Sequence, residues 1–157
     1  MLKLKNNNID LSLIIFLYIL SLSIGLLIDE DLSTGGSSRD FFGTWPAIVD
    51  FSNNKFNTIT EYTRHVPLHY FLMSMIYKFI DNQYSVRIIY VSFSLLLPFF
   101  LYLNLKKIYN YPNINLLLIS FSLILLPYFR SSAIWPNAHL TALIFLSISN
   151  FFYLKSV

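Results

Sequence analysis

The chain contains no cysteine. That excludes disulfides, thiolate metal sites and a cysteine nucleophile. Charge is scarce too: only 12% of the 157 residues are Asp, Glu, Lys or Arg, against the ~25% of soluble domains. No internal repeat and no low-complexity tract breaks the sequence. The formal charge of +3 is modest, and the lysines stand in pairs beside apolar runs (Lys3 with Lys5, Lys106 with Lys107). Lysines so placed read as membrane-topology signals, and the sequence offers no case for a nucleic-acid partner.

What the chain does have is apolar length. Hydrophobic residues make up 55% of it, and runs approaching the ~20 residues that cross a bilayer follow one another. Leu11 to Ile28 is uncharged over 18 residues. It exceeds the ~7–15 residue core of a signal peptide and reads as an uncleaved anchor. Ile88 to Leu105 makes a second run, entered past Arg87 at its mouth, closed by Lys106 and Lys107 and expected to kink at Pro98. Asn113 to Phe129, interrupted by Pro127 and stopped by Arg130, gives a third, and Ala138 to Leu154 a fourth. The expected fold is an all-α integral membrane protein with about four transmembrane helices. As one membrane domain over 1–157, it divides into an anchor (1–28), a loop with surface helices (29–87) and three transmembrane helices (88–157). His139 and Asn150, on one side of the last run, suggest a polar contact between helices.

The one long polar interval is Asp29 to Pro67, and it starts abruptly with Asp29-Glu30-Asp31. Seven of the eight acidic residues lie between Asp29 and Asp81. Trp45, Ile48 and Phe51 recur there at helical spacing, which predicts a short helix on the membrane surface. Pro67 then suits the first turn of a further helix over 67–80. On that helix Tyr70, Ser74, Tyr77 and Asp81 form a polar stripe expected to face water. Leu68, Leu72, Met75 and Phe79 form the opposite face, directed to lipid or core, and His69 is expected to point along the surface. Fourteen residues are too few to span comfortably, so this is expected to be an interfacial helix. With the amino terminus inside, all the paired lysines and Lys155 are cytoplasmic and the acidic loop is extracytoplasmic, in a multi-pass protein of a bacterial inner membrane.

The order of parts carries a resemblance. Asp29-Glu30, the segment Gly35-Gly36-Ser37-Ser38-Arg39-Asp40-Phe41, His65-Val66-Pro67-Leu68-His69-Tyr70, Val86-Arg87 and the hairpin from Arg130 to Asn137 leading to Leu140-Thr141 resemble the amino-terminal part of the GT-C class of membrane glycosyltransferases. The class includes protein O-mannosyltransferases and the aminoarabinose transferases of lipid A. The likeness covers nearly the whole chain but about the first third of such an enzyme, so it implies a fragment, inactive alone. It implies transfer of a sugar from a polyprenyl-phosphate donor to an acceptor hydroxyl on the extracytoplasmic face. The partners would be a lipid-linked sugar and membrane lipids.

Carried over residue by residue, the role of catalytic base falls on Asp29, with Glu30 beside it. Asp40 is the rival, because Asp31-Leu32-Ser33-Thr34 stand where the family has an aromatic or histidine. A carboxylate next to another at a low-dielectric boundary is expected to have a raised pKa. Arg39, Arg64, Arg87 and Arg130 could hold the donor's phosphate through bidentate contacts, and His65 and His69 are further candidates to bind the donor. No cofactor is assigned. A divalent metal stays open, although Pro67 between His65 and His69 removes the i,i+4 geometry of a helical metal pair. Charged residues also simply end spans, and arginines anchor in head groups. The alternative is a non-enzymatic small membrane protein, a transporter subunit or assembly partner.

Overall fold

Away from water, an apolar segment satisfies its own backbone N–H and C=O groups most simply by forming a helix. The computed structural model describes residues 7–56 and 67–156, and among them every regular element is helical. Helix α1 (Asn7–Leu27) is followed by α2 (Gly36–Ser52) and α3 (Leu68–Ile80). A two-residue link leads from α3 into α4 (Gln83–Ser94), which continues almost directly into α5 (Leu96–Ile108). Helix α6 (Asn113–Phe121), a 3₁₀ turn (Ser122–Leu125), α7 (Pro127–Ile134) and α8 (Ala138–Ser156) complete the order.

Proline accounts for both interruptions. Pro98 lacks an N–H and crowds the carbonyl of Ser94, and the helix breaks at Leu95 between α4 and α5. Taken together these two still form one 26-residue apolar length, Gln83–Ile108, able to cross a membrane. Pro127 acts more strongly. It sits at the first position of α7, where a missing N–H costs nothing, and the chain turns by 73° between Asn113–Leu125 and Pro127–Ile134. The third expected span is therefore bent, not straight. Among the described residues two helices are long and apolar enough to cross a membrane, Gln83–Ile108 and Ala138–Ser156, or three if the bent pair is one span. The apolar part of α1, Leu11–Leu27, is shorter.

Side-chain contacts fix the helix directions. Tyr18 meets Phe121 edge-on at 5.7 Å and Ser21 bonds Arg130, so α1 and the α6–α7 limb run the same way. Tyr90 with Thr141, and Asn104 with the carbonyl of Ser147, set α4–α5 parallel to α8, running away from the carboxyl end of α1. Lys106 and Lys107 close α5 and Lys155 closes α8, at the end opposite Asp29-Glu30-Asp31. Thr141 and Ser147 make polar contacts from α8 to α4 and α5, and His139 and Asn150 are exposed.

Two expectations are corrected here. The second span begins at Gln83, so Arg87 lies inside a helix and is buried, where the sequence reading placed it at the mouth. On α3 the polar stripe does not face water: Tyr70 and Ser74 are 1% and 3% exposed and turn inward, while Phe79 on the opposite, apolar face is 86% exposed. His69 is buried as well.

Candidate functional site

The end of α1 is built by backbone hydrogen bonds that reach past the helix. The Glu30 N–H donates to the carbonyl of Gly25 at 2.8 Å and the Asp29 N–H to that of Leu26 at 3.3 Å. That is a Schellman-type cap, and its left-handed position, usually given to glycine, holds Asp29 at φ 51°. Aspartate tolerates this region better than most residues, and Asp81 does the same at the end of α3 with φ 48°. The cap throws three consecutive carboxylates in three directions.

Glu30 turns inward. Arg130 donates from Nε to Glu30 Oε1 at 2.6 Å and from Nη2 to Oε2 at 2.5 Å, a bidentate fork, while its Nη1 donates to Ser21 Oγ at 2.7 Å. The two side chains are 17% and 13% exposed. The Trp135 indole N–H donates to the Glu30 carbonyl at 3.1 Å, and the Leu32 N–H donates to Ser131 Oγ at 2.7 Å. These bonds clamp the start of the loop onto α7. The Arg130 hydrogen bonds hold the Glu30 carboxyl below the usual carboxylate range despite its desolvation.

Asp31 turns toward α2. It accepts from the N–H of Ser33 at 3.0 Å and of Ser38 at 2.8 Å, and from the Ser33 hydroxyl. Ser33 Oγ in turn accepts from the N–H of Ser37 at 2.8 Å. The first N–H groups of α2 are thereby satisfied, and a carboxylate at a helix amino terminus is favoured by the dipole. Burial alone would raise the Asp31 carboxyl, but the hydrogen bonds from Ser33 and Ser38 outweigh it and bring it down to about 2. The raised pKa expected of neighbouring carboxylates is reversed for Glu30 and Asp31, because each has its own donors.

Asp29 turns outward. Its Oδ1 accepts from Arg87 Nη1 at 2.8 Å, yet the side chain is 65% exposed while that of Arg87 is 7% exposed. Arg87 is held from other directions: Nε donates to the carbonyl of Ile134 at 3.1 Å, and the guanidinium stacks over the Trp135 ring at 3.6 Å. Its Nη2 is buried with no partner among the described residues. Asp29 is therefore a fixed carboxylate that keeps an open side, the geometry in which an oxygen can accept a proton from a hydroxyl brought within ~2.6–3.2 Å.

The other expected residues are dispersed. Arg39 and Asp40 are exposed within α2, one turn past its start. Arg64 and His65 lie outside the described residues. His69 faces the protein, its Nδ1 2.8 Å from Thr141 Oγ1, which is 2.9 Å from the Tyr90 hydroxyl; that hydroxyl donates to the Asn137 carbonyl at 2.8 Å. The network ties α3 to α4 and α8. Arg130 is engaged at all three nitrogens. No group of three or more His, Asp or Glu able to hold a metal occurs among the described residues. Sequence reasoning offered Arg87 as a phosphate-binding arginine and left Ser21, Ser131 and Trp135 without a role; the structure sets Arg87 against Asp29, the Ile134 carbonyl and the Trp135 ring.

No protein-family model matches the chain, and neither does a curated protein or a solved structure.

Proposed function

We propose that this chain is part of a membrane glycosyltransferase of the GT-C kind, transferring a sugar from a polyprenyl-phosphate donor to an acceptor hydroxyl, with Asp29 as the base. The observation that carries the reading is the difference among the three acids: only Asp29, the one the resemblance singles out, is mostly exposed, and it is anchored by a guanidinium beneath it. Glu30 and Arg130 then fix the loop on which Asp29 stands, and Arg87 aims its carboxylate. Arg39 and Asp40, exposed on α2, stay available to donor or acceptor. The lysine-rich end is cytoplasmic in this reading, and the acidic end is extracytoplasmic.

The test is transfer of radiolabelled sugar from a polyprenyl-phosphate donor by the full-length protein in liposomes. Asp29→Asn should lower the rate by ~10²–10⁴, the usual worth of a general base, and Asp40→Asn by much less. Wild-type rates from both variants would end the assignment of the base to this region.

A second reading is favoured by one feature. Glu30 and Asp31 are wholly taken up in binding α7 and α2, which is how a non-enzymatic helical subunit would also use them. Under that reading Asp29→Asn leaves every activity of the membrane unchanged.

A further inference from the structure

Helix α3 is inside out by the standard of a water-soluble helix. Its protein-facing side carries His69, Tyr70, Met73 and Ser74, all at most 4% exposed. Its outer side carries Leu68 (48% exposed), Phe71 (46%), Met75 (47%) and Phe79 (86%). At 100° per residue these four fall within one arc, and Lys78 lies at its margin in the last turn. A helix face turned to water is ordinarily polar. Here polar side chains are spent on the interior and large apolar ones on the outside.

We propose that the outer face of α3 is immersed in lipid at the boundary between head groups and acyl chains, so that α3 is a lipid-side wall over the His69–Thr141–Tyr90 network. Continuity with the spans identifies the occupant. His69 reaches Thr141 in the first turn of α8 and stacks edge-on against Tyr90 in the second turn of α4. Both helices are long and apolar enough to cross a membrane, so α3 lies beside the first turns of two crossing segments. The 26-residue length Gln83–Ile108 is about 39 Å at ~1.5 Å per residue, longer than the ~30 Å hydrocarbon core, which places its first turns near the head groups. The exposed Ile88 and Ile89 of α4 and Leu143 of α8 extend the apolar surface of those spans. Lys78 at the edge of the face extends its ammonium to the head groups while its stem lies along the apolar surface. The orientation does not depend on whether the protein is an enzyme.

The absence of cysteine makes the test direct. Single cysteines at Leu68, Met75 and Phe79, with Lys55→Cys as a water-facing reference, are labelled with bimane. The full chain is then reconstituted in phosphatidylcholine vesicles. Because all these positions are exposed, the substitutions leave the packing untouched; a cysteine at buried Met73 that reacts only after denaturation checks that the fold is intact. Labels at 68, 75 and 79 should lose most of their fluorescence to lipids brominated on the acyl chains and little to aqueous iodide, and the label at 55 the reverse. Iodide quenching at all three α3 positions overturns the proposal. So does protection from both quenchers, and spontaneous disulfide dimers at position 79 would then give the face to a second copy of the chain.

Discussion

Two arginine–carboxylate pairs stand a few residues apart at the same end of the molecule, and they are built oppositely. Glu30 and Arg130 are both largely buried and joined by two parallel hydrogen bonds, with Ser21 taking the remaining nitrogen. Asp29 and Arg87 share a single bond, and only the arginine is buried. A closed pair of this kind fixes geometry, because each charge is largely withdrawn from water and depends on the other. A half-open pair holds one charge still and leaves it accessible. The difference separates the group that organises the loop from the group that can act on something outside it.

The largest expected effect comes from opening the closed pair. Arg130→Ala leaves the part-buried Glu30 carboxylate, 13% exposed, without its partner, and the loss should approach the ~3–5 kcal/mol of breaking a buried pair. Denaturant unfolding in detergent should show that loss. Replacing both members, Glu30→Leu with Arg130→Met, should recover much of it, because no unpaired charge then remains. If Arg130→Ala is tolerated at below ~1 kcal/mol, the pair is no better than an exposed one and the comparison fails.

Gly25 allows a subtler perturbation of the same pair. A Cβ built there would stand 2.6 Å from Glu30 Oε2, 2.6 Å from Ile134 Cδ1 and 3.3 Å from Arg130 Nη2. The Glu30 oxygen is pinned by Arg130 and cannot simply swing aside, so Gly25→Ala should cost ~1–3 kcal/mol, as overpacking does. In a double-mutant cycle the cost should shrink when Glu30 is also replaced by Ala, since one of the two clashes disappears with the carboxylate. Strict additivity would mean that only Ile134 resists the methyl group.

These features were unequally legible in the sequence. Helices could be read from apolar runs, and α2 from the spacing of Trp45, Ile48 and Phe51, because periodicity belongs to the chain itself. The sign of amphipathicity does not: the stripe on α3 is visible, but which side faces inward depends on whether the surroundings are water or lipid. Arg87 reads in the sequence as the end of a span because charge usually marks one, while the Trp135 ring and Ile134 carbonyl that shelter it are about fifty residues away. The cluster Asp29-Glu30-Asp31 was recognised as a site, yet its division into three roles depends on donors from α2, α4 and α7. Only Asp31 had a local clue, the serines at 33, 37 and 38 that a helix start favours.

Acid should distinguish the fixed carboxylates by the same logic. Asp31 has its folded pKa depressed to about 2. A depressed carboxylate contributes stability that is complete above its unfolded value near 3.8 and is lost as pH falls toward 2. Glu30 is depressed in the same sense, so its contribution also disappears on acidification. Thermal stability should therefore fall between pH 4 and pH 2, and Asp31→Asn should flatten part of that fall. A profile unchanged by Asp31→Asn would mean that the serine donors do not discriminate between charged and neutral forms.

The smallest expected effect is on the stability of Asp29→Asn. The side chain is 65% exposed, and exposed ion pairs are worth ~0–1 kcal/mol and are screened by salt. Asparagine retains a carbonyl oxygen that can accept from Arg87 Nη1, and Arg87 keeps its bond to Ile134 and its stack on Trp135. Asparagine also adopts the left-handed backbone of this position as readily as aspartate does. The substitution should therefore change unfolding free energy by less than ~1 kcal/mol, and added salt should shrink the change further. Asp29→Ala should cost more, because the buried guanidinium then loses its acceptor. If Asp29→Asn instead destabilises by as much as Arg130→Ala, Asp29 is a structural counter-ion to Arg87, and the case for an available base at this end of α1 falls with it.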